Sequence, residues 1–343
     1  MTQRSGKLGA LDVLIPAVVG VGLLTAAVNS ENIVMRASET VAQLVPSPIE
    51  WRDQFLGVAV PEPGVVWMAG SNGKIVLSDD GGKTWSIQWT GVTENLQAIA
   101  AWDSDRAVAV GNDGMVIVTG NGGESWARVP VPRSEIANKL IRVRCYDDGR
   151  AWTVGVMGMI LYSEDWGKSW ERRAEEIDVA WNDIAFADSQ NGWVVGEFGS
   201  MMHSADGGLT WQEQDPASER SLMAISFRDP QTAVAVGLDG LILRTADAGL
   251  SWSTVDAGTS LHLFDVAWDG AEWIAVGGMG VVVTGSPDGT SWRALRLSDR
   301  DLAWHTALST VEDGVFAVGS SQGTWRAGQW TPAGLGRAGG VSQ

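Results

Sequence analysis

Short apolar runs alternate with Gly-, Asp- and Ser-rich breaks along most of this chain, and the alternation repeats every 40 to 44 residues. Each period opens with an apolar stretch: FLGVAV, LQAIAAW, LIRVRC, NDIAFA, LMAISF, LFDVAW and WHTALS in turn. A second apolar run follows and ends in Gly-x-x-Gly, as at Gly70/Gly73, Gly111/Gly114, Gly155/Gly158, Gly196/Gly199, Gly237/Gly240 and Gly277/Gly280, with a looser copy at Gly319/Gly323. A third run then leads to a polar turn and a tryptophan. Runs this short, bounded by turn residues and lacking helical periodicity, predict strands. The tryptophans that close six of the turns, Trp85, Trp126, Trp170, Trp211, Trp252 and Trp292, are 41, 44, 41, 41 and 40 residues apart. A period of this length holds one small sheet and is too short for a domain. Seven repeats of four strands predict an all-β, seven-bladed β-propeller.

The polar turns read SDDGGKTW, TGNGGESW, SEDWGKSW, SADGGLTW, TADAGLSW and, one residue short, SPDGTSW. Their acidic or amide residues are Asp80, Asn121, Asp165, Asp206, Asp247 and Asp288. Such side chains can bond local backbone amides, so a structural brace is expected of them. The tryptophans supply apolar area where adjacent sheets meet, and the paired glycines are expected to provide the φ > 0 backbone of a tight hairpin. Blade 1 is expected to begin near Gln54 and blade 7 to end near Thr331, without strand exchange between the chain ends. Residues 46–52 are a candidate outer strand. The expected layout is an export signal or membrane anchor over 1–29, a linker over 30–50, the propeller over 51–332 and a disordered tail over 333–343.

The polar turns resemble Asp-box (BNR) repeats. From about residue 50 to 332, with AVAVG-x-x-G before the box, the chain resembles the photosystem II stability and assembly factor-like family of seven-bladed propellers. The Asp box is shared with sialidases, some glucanases and sorting receptors, so alone it specifies fold more than function. The resemblance implies a non-enzymatic, extracytoplasmic factor without cofactor that binds the extracytoplasmic region of an integral membrane protein. In photosynthetic organisms that partner is a photosystem component; similar proteins elsewhere accompany RND-type exporters.

Charge and termini refine this picture. With 41 acidic and 24 basic residues the net charge is −17, which argues against nucleic acid and anionic membrane surfaces as partners. Cys145 is the single cysteine, so no disulfide forms within the chain. At the N-terminus Arg4 and Lys7 precede an uncharged run from Val13 to Val28, sixteen residues long. A basic start and a short apolar core are the marks of an export signal. The run falls short of the ~20 residues that span a bilayer, and including residues 8–11 makes a retained anchor feasible. Either outcome predicts a periplasmic or otherwise extracytoplasmic propeller.

Candidate chemistry is sparse. The chain has no G-x-S-x-G elbow, no H-E-x-x-H helix and no phosphate loop. Its three histidines, His203, His262 and His305, are too scattered to predict a metal site. Two places depart from the repeat. One position of the first strands carries Arg142, Asp183, Asp265 and His305, which predicts either interblade pairs (Arg142 with Asp183, Asp265 with His305) or a hydrated polar channel with no role. The second is the face carrying the Gly-x-x-Gly turns. Turn tips are polar by default, yet Val156, Met157, Phe198, Leu238 and Met279 occupy them in blades 3 to 6, with Trp181 and Leu222 in the segments leading into blades 4 and 5. Exposed together they would form an apolar interaction patch. Three functions compete: a non-catalytic accessory factor docking through that face, a glycan-binding or glycosidase-like propeller, and a structural subunit of a secreted assembly.

Overall fold

The computed structural model describes residues 47–298 and 301–334, which form seven four-stranded antiparallel sheets, each in simple sequence order. Blades 1 to 7 cover residues 55–88, 96–128, 140–172, 181–214, 222–255, 263–296 and 305–332. Helix among the described residues is confined to single 3-10 turns. The expectations for residues 1–46 and 335–343 lie outside the described residues. Residues 47–53 form no outer strand; instead Ile49 is buried between blades 7 and 1 beside Phe55, Val66, Trp85, Phe316 and Val318. The expected linker therefore ends inside the ring's packing. Ala333, placed in the tail by sequence, donates its N–H to the Gln322 carbonyl (3.0 Å) and packs at the same seam.

The two glycines of Gly-x-x-Gly have different physical causes. The second has φ between +61° and +73° in blades 1 to 6, as a tight turn requires. The first is extended, with φ from −168° to −153° in five blades. It is glycine because the chain passes too close for a side chain. A Cβ on Gly70, Gly237 or Gly319 would stand 1.9, 2.1 or 1.8 Å from the carbonyl oxygen of the residue just before the blade's inner strand. That same carbonyl accepts the N–H of the next turn residue in every blade, as in Leu238 to Ser221 (3.1 Å) and Ser320 to Trp304 (2.9 Å). The turn is thus clamped to the segment leading into its own blade.

Blades hold one another through the Asp-box turns. At four seams the box glycine of one blade meets a large aromatic side chain on the second strand of the blade before: Gly82 with Phe316, Gly123 with Trp67, Gly208 with Trp152 and Gly249 with Trp193. Trp126 packs edge-on to Trp67 (5.8 Å between centroids), Trp211 to Trp152 (6.1 Å) and Trp85 to Phe316 across the 7–1 seam (6.2 Å). Edge-to-face contact is favoured by the ring quadrupoles. A Cβ on Gly208 would lie 2.2 Å from Trp152, and one on Gly249 2.6 Å from Trp193. Gly81, one position earlier in the blade 1 turn, has similar backbone (φ +75°) but nothing within 4 Å of the same probe atom.

These two glycines separate backbone strain from blade contact. Gly81→Ala is expected to cost ~1–2 kcal/mol through its left-handed backbone alone. Gly208→Ala adds overpacking against Trp152, a further ~1–3 kcal/mol. Denaturant unfolding of both variants checks the difference.

Candidate partner-binding face and central channel

In all seven blades the Gly-x-x-Gly turns and the loops leading into the blades emerge together. Blade 3's turn is tied to its neighbouring loop by Gly158 N–H to Val179 O (2.7 Å), and blade 6's by Gly280 N–H to Ala303 O (2.7 Å). The residue before the second glycine is left-handed in six blades: Asn72, Asp113, Met157, Phe198, Asp239 and Met279, with φ from 55° to 59°. Asn and Asp tolerate this conformation; Met and Phe do not, at a cost of roughly 1–2 kcal/mol each. Blades 3, 4 and 6 therefore hold strained apolar residues where three sister blades use relaxed polar ones. Their carbonyls are fixed too. Arg172 Nη2 donates to Met157 O (2.9 Å) and Arg296 Nη1 to Met279 O (2.9 Å). Arg220 Nη1 does the same for Asp239 O (3.2 Å).

The apolar surface is unevenly distributed. Trp51, Trp89, Ile136, Ile177, Phe198, Met279, Leu302 and Trp304 are exposed on this face; among the described residues the other exposed large apolar side chains are Ile87, Leu209 and Leu250. Phe198 is 76% exposed. Val156, Met157 and Leu238 are half-buried. Trp181 and Leu222, expected in the patch, are buried and do not belong to it. Each is the first residue of an inner strand, paired opposite the first glycine of its blade's turn (Gly196 and Gly237), and is covered by that turn. Sequence reasoning did not single out Ile136, Ile177 and Leu302, whose signal was an apolar residue inside an otherwise polar loop.

One structural position also corrects the channel assignment. A register shift follows the first residue of the inner strand, so Asp183 pairs with Val195, Asp265 with Val276, and the blade 7 equivalent is Ala307, paired with Val318. His305 sits two residues earlier, opposite Gly319, in the place Trp181 and Leu222 occupy. It is fully buried, and its Nε2 faces Ser321 Oγ (2.9 Å), whose hydroxyl donates to Asp301 Oδ2 (3.1 Å). Asp265 and His305 form no pair. Asp265 Oδ2 instead accepts from Arg142 Nη1 (3.1 Å), reaching from blade 6 to blade 3.

Arg142 also stands 3.6 Å from Asp183 Oδ1, as an ion pair. The stronger partner of Asp183 is Arg144, through Nε to Oδ1 (3.1 Å) and Nη2 to Oδ2 (2.5 Å). Arg144 lies two residues beyond Arg142 on the same strand face, so strand alternation would have placed it in the channel. Both carboxylates also stitch neighbouring inner strands: Asp183 accepts from Ile184 and, in blade 5, Ile225 (2.9 and 3.0 Å), and Asp265 from Val266 and, in blade 7, Leu308 (2.9 and 3.0 Å). Burial pushes Asp265 above its ordinary pKa despite Arg142 and Arg144. A cavity of about 290 Å³ adjoins this network, lined by Arg142, Arg144, Cys145, Ser226, Asp265 and Ser309 among others. Burial pushes the Cys145 thiol well above its usual range and the Tyr146 hydroxyl up to about 12, so neither is poised as a nucleophile at neutral pH.

The Asp-box carboxylates brace their own turns. Asp206 accepts from Thr210 Oγ1 (2.6 Å), Thr210 N–H (2.9 Å) and Ser204 Oγ (2.8 Å), and these bonds lower its pKa to about 2. Asp247 is lowered to about 2 by Ser251 and Thr245, and Asp288 by Ser286 and Thr290. Asn121 repeats the geometry without charge, accepting from Ser125 N–H (3.1 Å) and Thr119 Oγ1 (2.9 Å) and donating to Ser125 Oγ (3.0 Å). Asp80 and Asp165 make the corresponding bonds with Ser78 and Thr84 and with Ser163 and Ser169.

Comparison with known proteins places this geometry in context. A family model described as photosynthesis system II assembly factor YCF48 matches residues 174–262, which span blades 4 and 5. No curated protein sequence matches the chain. Among solved structures, YCF48 bound to a D1 peptide superposes with a TM-score of 0.64 at 18% identity, covering 78% of this chain and 90% of that one. YCF48 from Cyanidioschyzon merolae gives a TM-score of 0.64 at 17% identity over 80% of this chain and 94% of its own. An ancestral GH74 enzyme gives 0.64 at 15% identity, covering 81% of this chain and 46% of the enzyme. The chain is a seven-bladed propeller, similar over blades 4 and 5 to the photosystem II assembly factor family.

Two outcomes follow from the carboxylates. An aspartate with a lowered folded pKa adds stability above its ordinary value of 3.8, and that contribution is lost as pH falls towards 2. Asp247→Ala is therefore expected to lower Tm by a few degrees at pH 6 and by little at pH 2. Arg142→Met leaves Asp265 buried without its cation and should cost ~3–5 kcal/mol at neutral pH. Its deficit against wild type shrinks in acid, because protonated Asp265 needs no cation. Denaturant melts of both variants across pH 2–7 check both trends.

Proposed function

We propose that this protein is a non-catalytic, extracytoplasmic accessory factor that captures an exposed segment of an integral membrane protein on its Gly-x-x-Gly face. The observation that carries this reading is the strain at Met157, Phe198 and Met279. Large apolar residues are held in a backbone conformation that sister blades give to Asn and Asp, and such outliers cluster at binding sites. Guanidinium groups pin two of the three tip carbonyls, so the apolar side chains are presented by rigid backbone. Preorganisation of this kind lowers the ordering cost of association. Methionine suits adaptable apolar contacts.

The sequence match over blades 4 and 5 and the likeness to YCF48 bound to a D1 peptide favour a polypeptide ligand. The partner class is a photosystem-type or RND-exporter-type membrane complex. A glycosidase reading would draw on the channel carboxylates, but Asp183 and Asp265 are each engaged by arginine and by two backbone amides. Every oxygen of the two carboxylates already accepts at least one hydrogen bond. On this reading residues 1–29 serve for export, or are retained as an anchor, and the propeller works in the periplasm or an equivalent compartment.

The test is capture of the membrane complex from detergent-solubilised membranes by tagged protein, with wild type against Phe198→Asp/Met279→Asp. The double variant is expected to lose capture at least tenfold while its Tm stays equal or rises, since Asp suits the left-handed backbone better than Phe or Met. Undiminished capture by a folded double variant would overturn the proposal.

A further inference from the structure

A second apolar sector on the same face, away from blades 3 and 4, surrounds the place where the chain enters the ring. Trp51 and Trp89 flank the blade 1 turn. The Trp51 segment is tied there by the ion pair of Asp53 with Lys74, the residue just after that turn. The Trp89 segment is tied by Thr90 Oγ1 donating to Gly73 O (2.8 Å). Trp304 lies beside the blade 7 turn through its carbonyl's bond with Ser320, and Leu302 shares its loop. Trp51 is 82% exposed, Trp89 87% and Trp304 54%. Among the described residues no ring contact covers Trp89, Trp51 has Arg52 over one face (4.9 Å), and Trp304 stacks on Phe264 (5.5 Å between centroids). Indoles left this bare on a water-facing rim leave a large hydrophobic cost unrecovered.

Two further facts indicate what covers them. The chain enters the ring beside this sector, since Ile49 is fixed at the 7–1 seam. The uncharged run of the sequence ends at Val28, and residues 29–46 separate it from Ser47; a stretch of that length reaches at most on the order of 60 Å. A bilayer holding the run is then within reach of this face. The second fact is electrostatic. The rim mixes Glu50, Asp53 and Glu94 with Arg52 and Lys74, and the chain's net charge is −17, which suits neutral lipid headgroups and disfavours anionic ones. Tryptophan is the side chain enriched at the headgroup layer, where its ring is apolar and its N–H stays wet.

We propose that the blade 7–blade 1 sector of this face rests on the headgroup layer of a membrane rich in zwitterionic lipid, with Trp51, Trp89 and Trp304 entering it. The contact goes beyond the partner reading. It uses other side chains and needs no partner, and it orients the strained tips of blades 3, 4 and 6 towards whatever protein emerges from that membrane.

The experiment uses the full chain, without partner, reconstituted into phosphatidylcholine vesicles. In a Cys145→Ser background, an environment-sensitive fluorophore is placed by Trp51→Cys, Trp89→Cys or, on the Asp-box turns, Leu209→Cys or Leu250→Cys. All four positions are exposed, so folding is undisturbed. Brominated phosphatidylcholine is expected to quench positions 51 and 89 at least twofold more than 209 and 250, unaffected by added salt and weakened by anionic lipid. Equal quenching at the four positions overturns the proposal, as does none at 51 and 89, whether or not the chain floats with the vesicles. Shielding at 51 and 89 that appears only when a membrane protein is added overturns it in favour of a protein contact. Loss of partner capture by the Phe198/Met279 variant is independent of all these results.

Discussion

The ring depends on a contact repeated at four of its seams: an Asp-box glycine seated against a large aromatic side chain of the preceding blade. The turn around that glycine is rigid because Asp80, Asn121, Asp165, Asp206, Asp247 or Asp288 collects the local amides and hydroxyls. The glycine then reaches Trp152 or Trp193 with no room for a methyl group. A braced turn sets the glycine, the glycine admits the aromatic ring, and the ring fills the wedge between sheets. Weakening the carboxylate brace therefore acts on blade packing from a distance, although the carboxylates themselves are at the surface.

The two faces divide these tasks. Left-handed positions on the Asp-box face are mostly glycine; Asp148, Trp166, Ala248, Asp313 and Ala327 are the exceptions. On the opposite face the same backbone is given to Met157, Phe198 and Met279. Between them, Arg142, Arg144, Asp183 and Asp265 tie blades 3 to 7 together through ion pairs and through amides of neighbouring inner strands. Blades 1 and 2 need no such link. Gly57 lets their inner strands approach so closely that an added Cβ would lie 2.7 Å from Ala98.

Fold and site were not equally legible in the sequence. Seven blades follow from the spacing of Gly-x-x-Gly and Asp-box turns, because each turn type depends on local backbone chemistry. The polar ladder of the inner strands was legible in blades 3, 4 and 6. It failed in blade 7, where His305 takes the first place of the strand, opposite Gly319, and the register shift shared with blades 4 and 6 puts Ala307 in the channel. A bulge leaves no mark in strand alternation read one blade at a time. Trp181 and Leu222 were misplaced for the same reason: burial beneath a turn depends on the close approach of a carbonyl to Gly196 or Gly237. Phe198 and Met279, at the tips themselves, stay exposed.

Each blade is built from strands adjacent in sequence, and among the described residues no strand is lent from one blade to another. Nearly every contact is therefore local, formed within a blade or with the one synthesised just before. The exceptions are the channel bond from Arg142 to Asp265 (3.1 Å) across 123 residues and the seam, where Val60 N–H meets Ser309 Oγ (3.1 Å) across 249 residues and Phe316 meets Trp85. Loop-closure entropy, spread thinly elsewhere, is concentrated in that final step. An arc of blades can thus grow as the chain leaves the ribosome, and only the last docking event turns the arc into a ring. The same seam is where a finished ring would first come apart under tension.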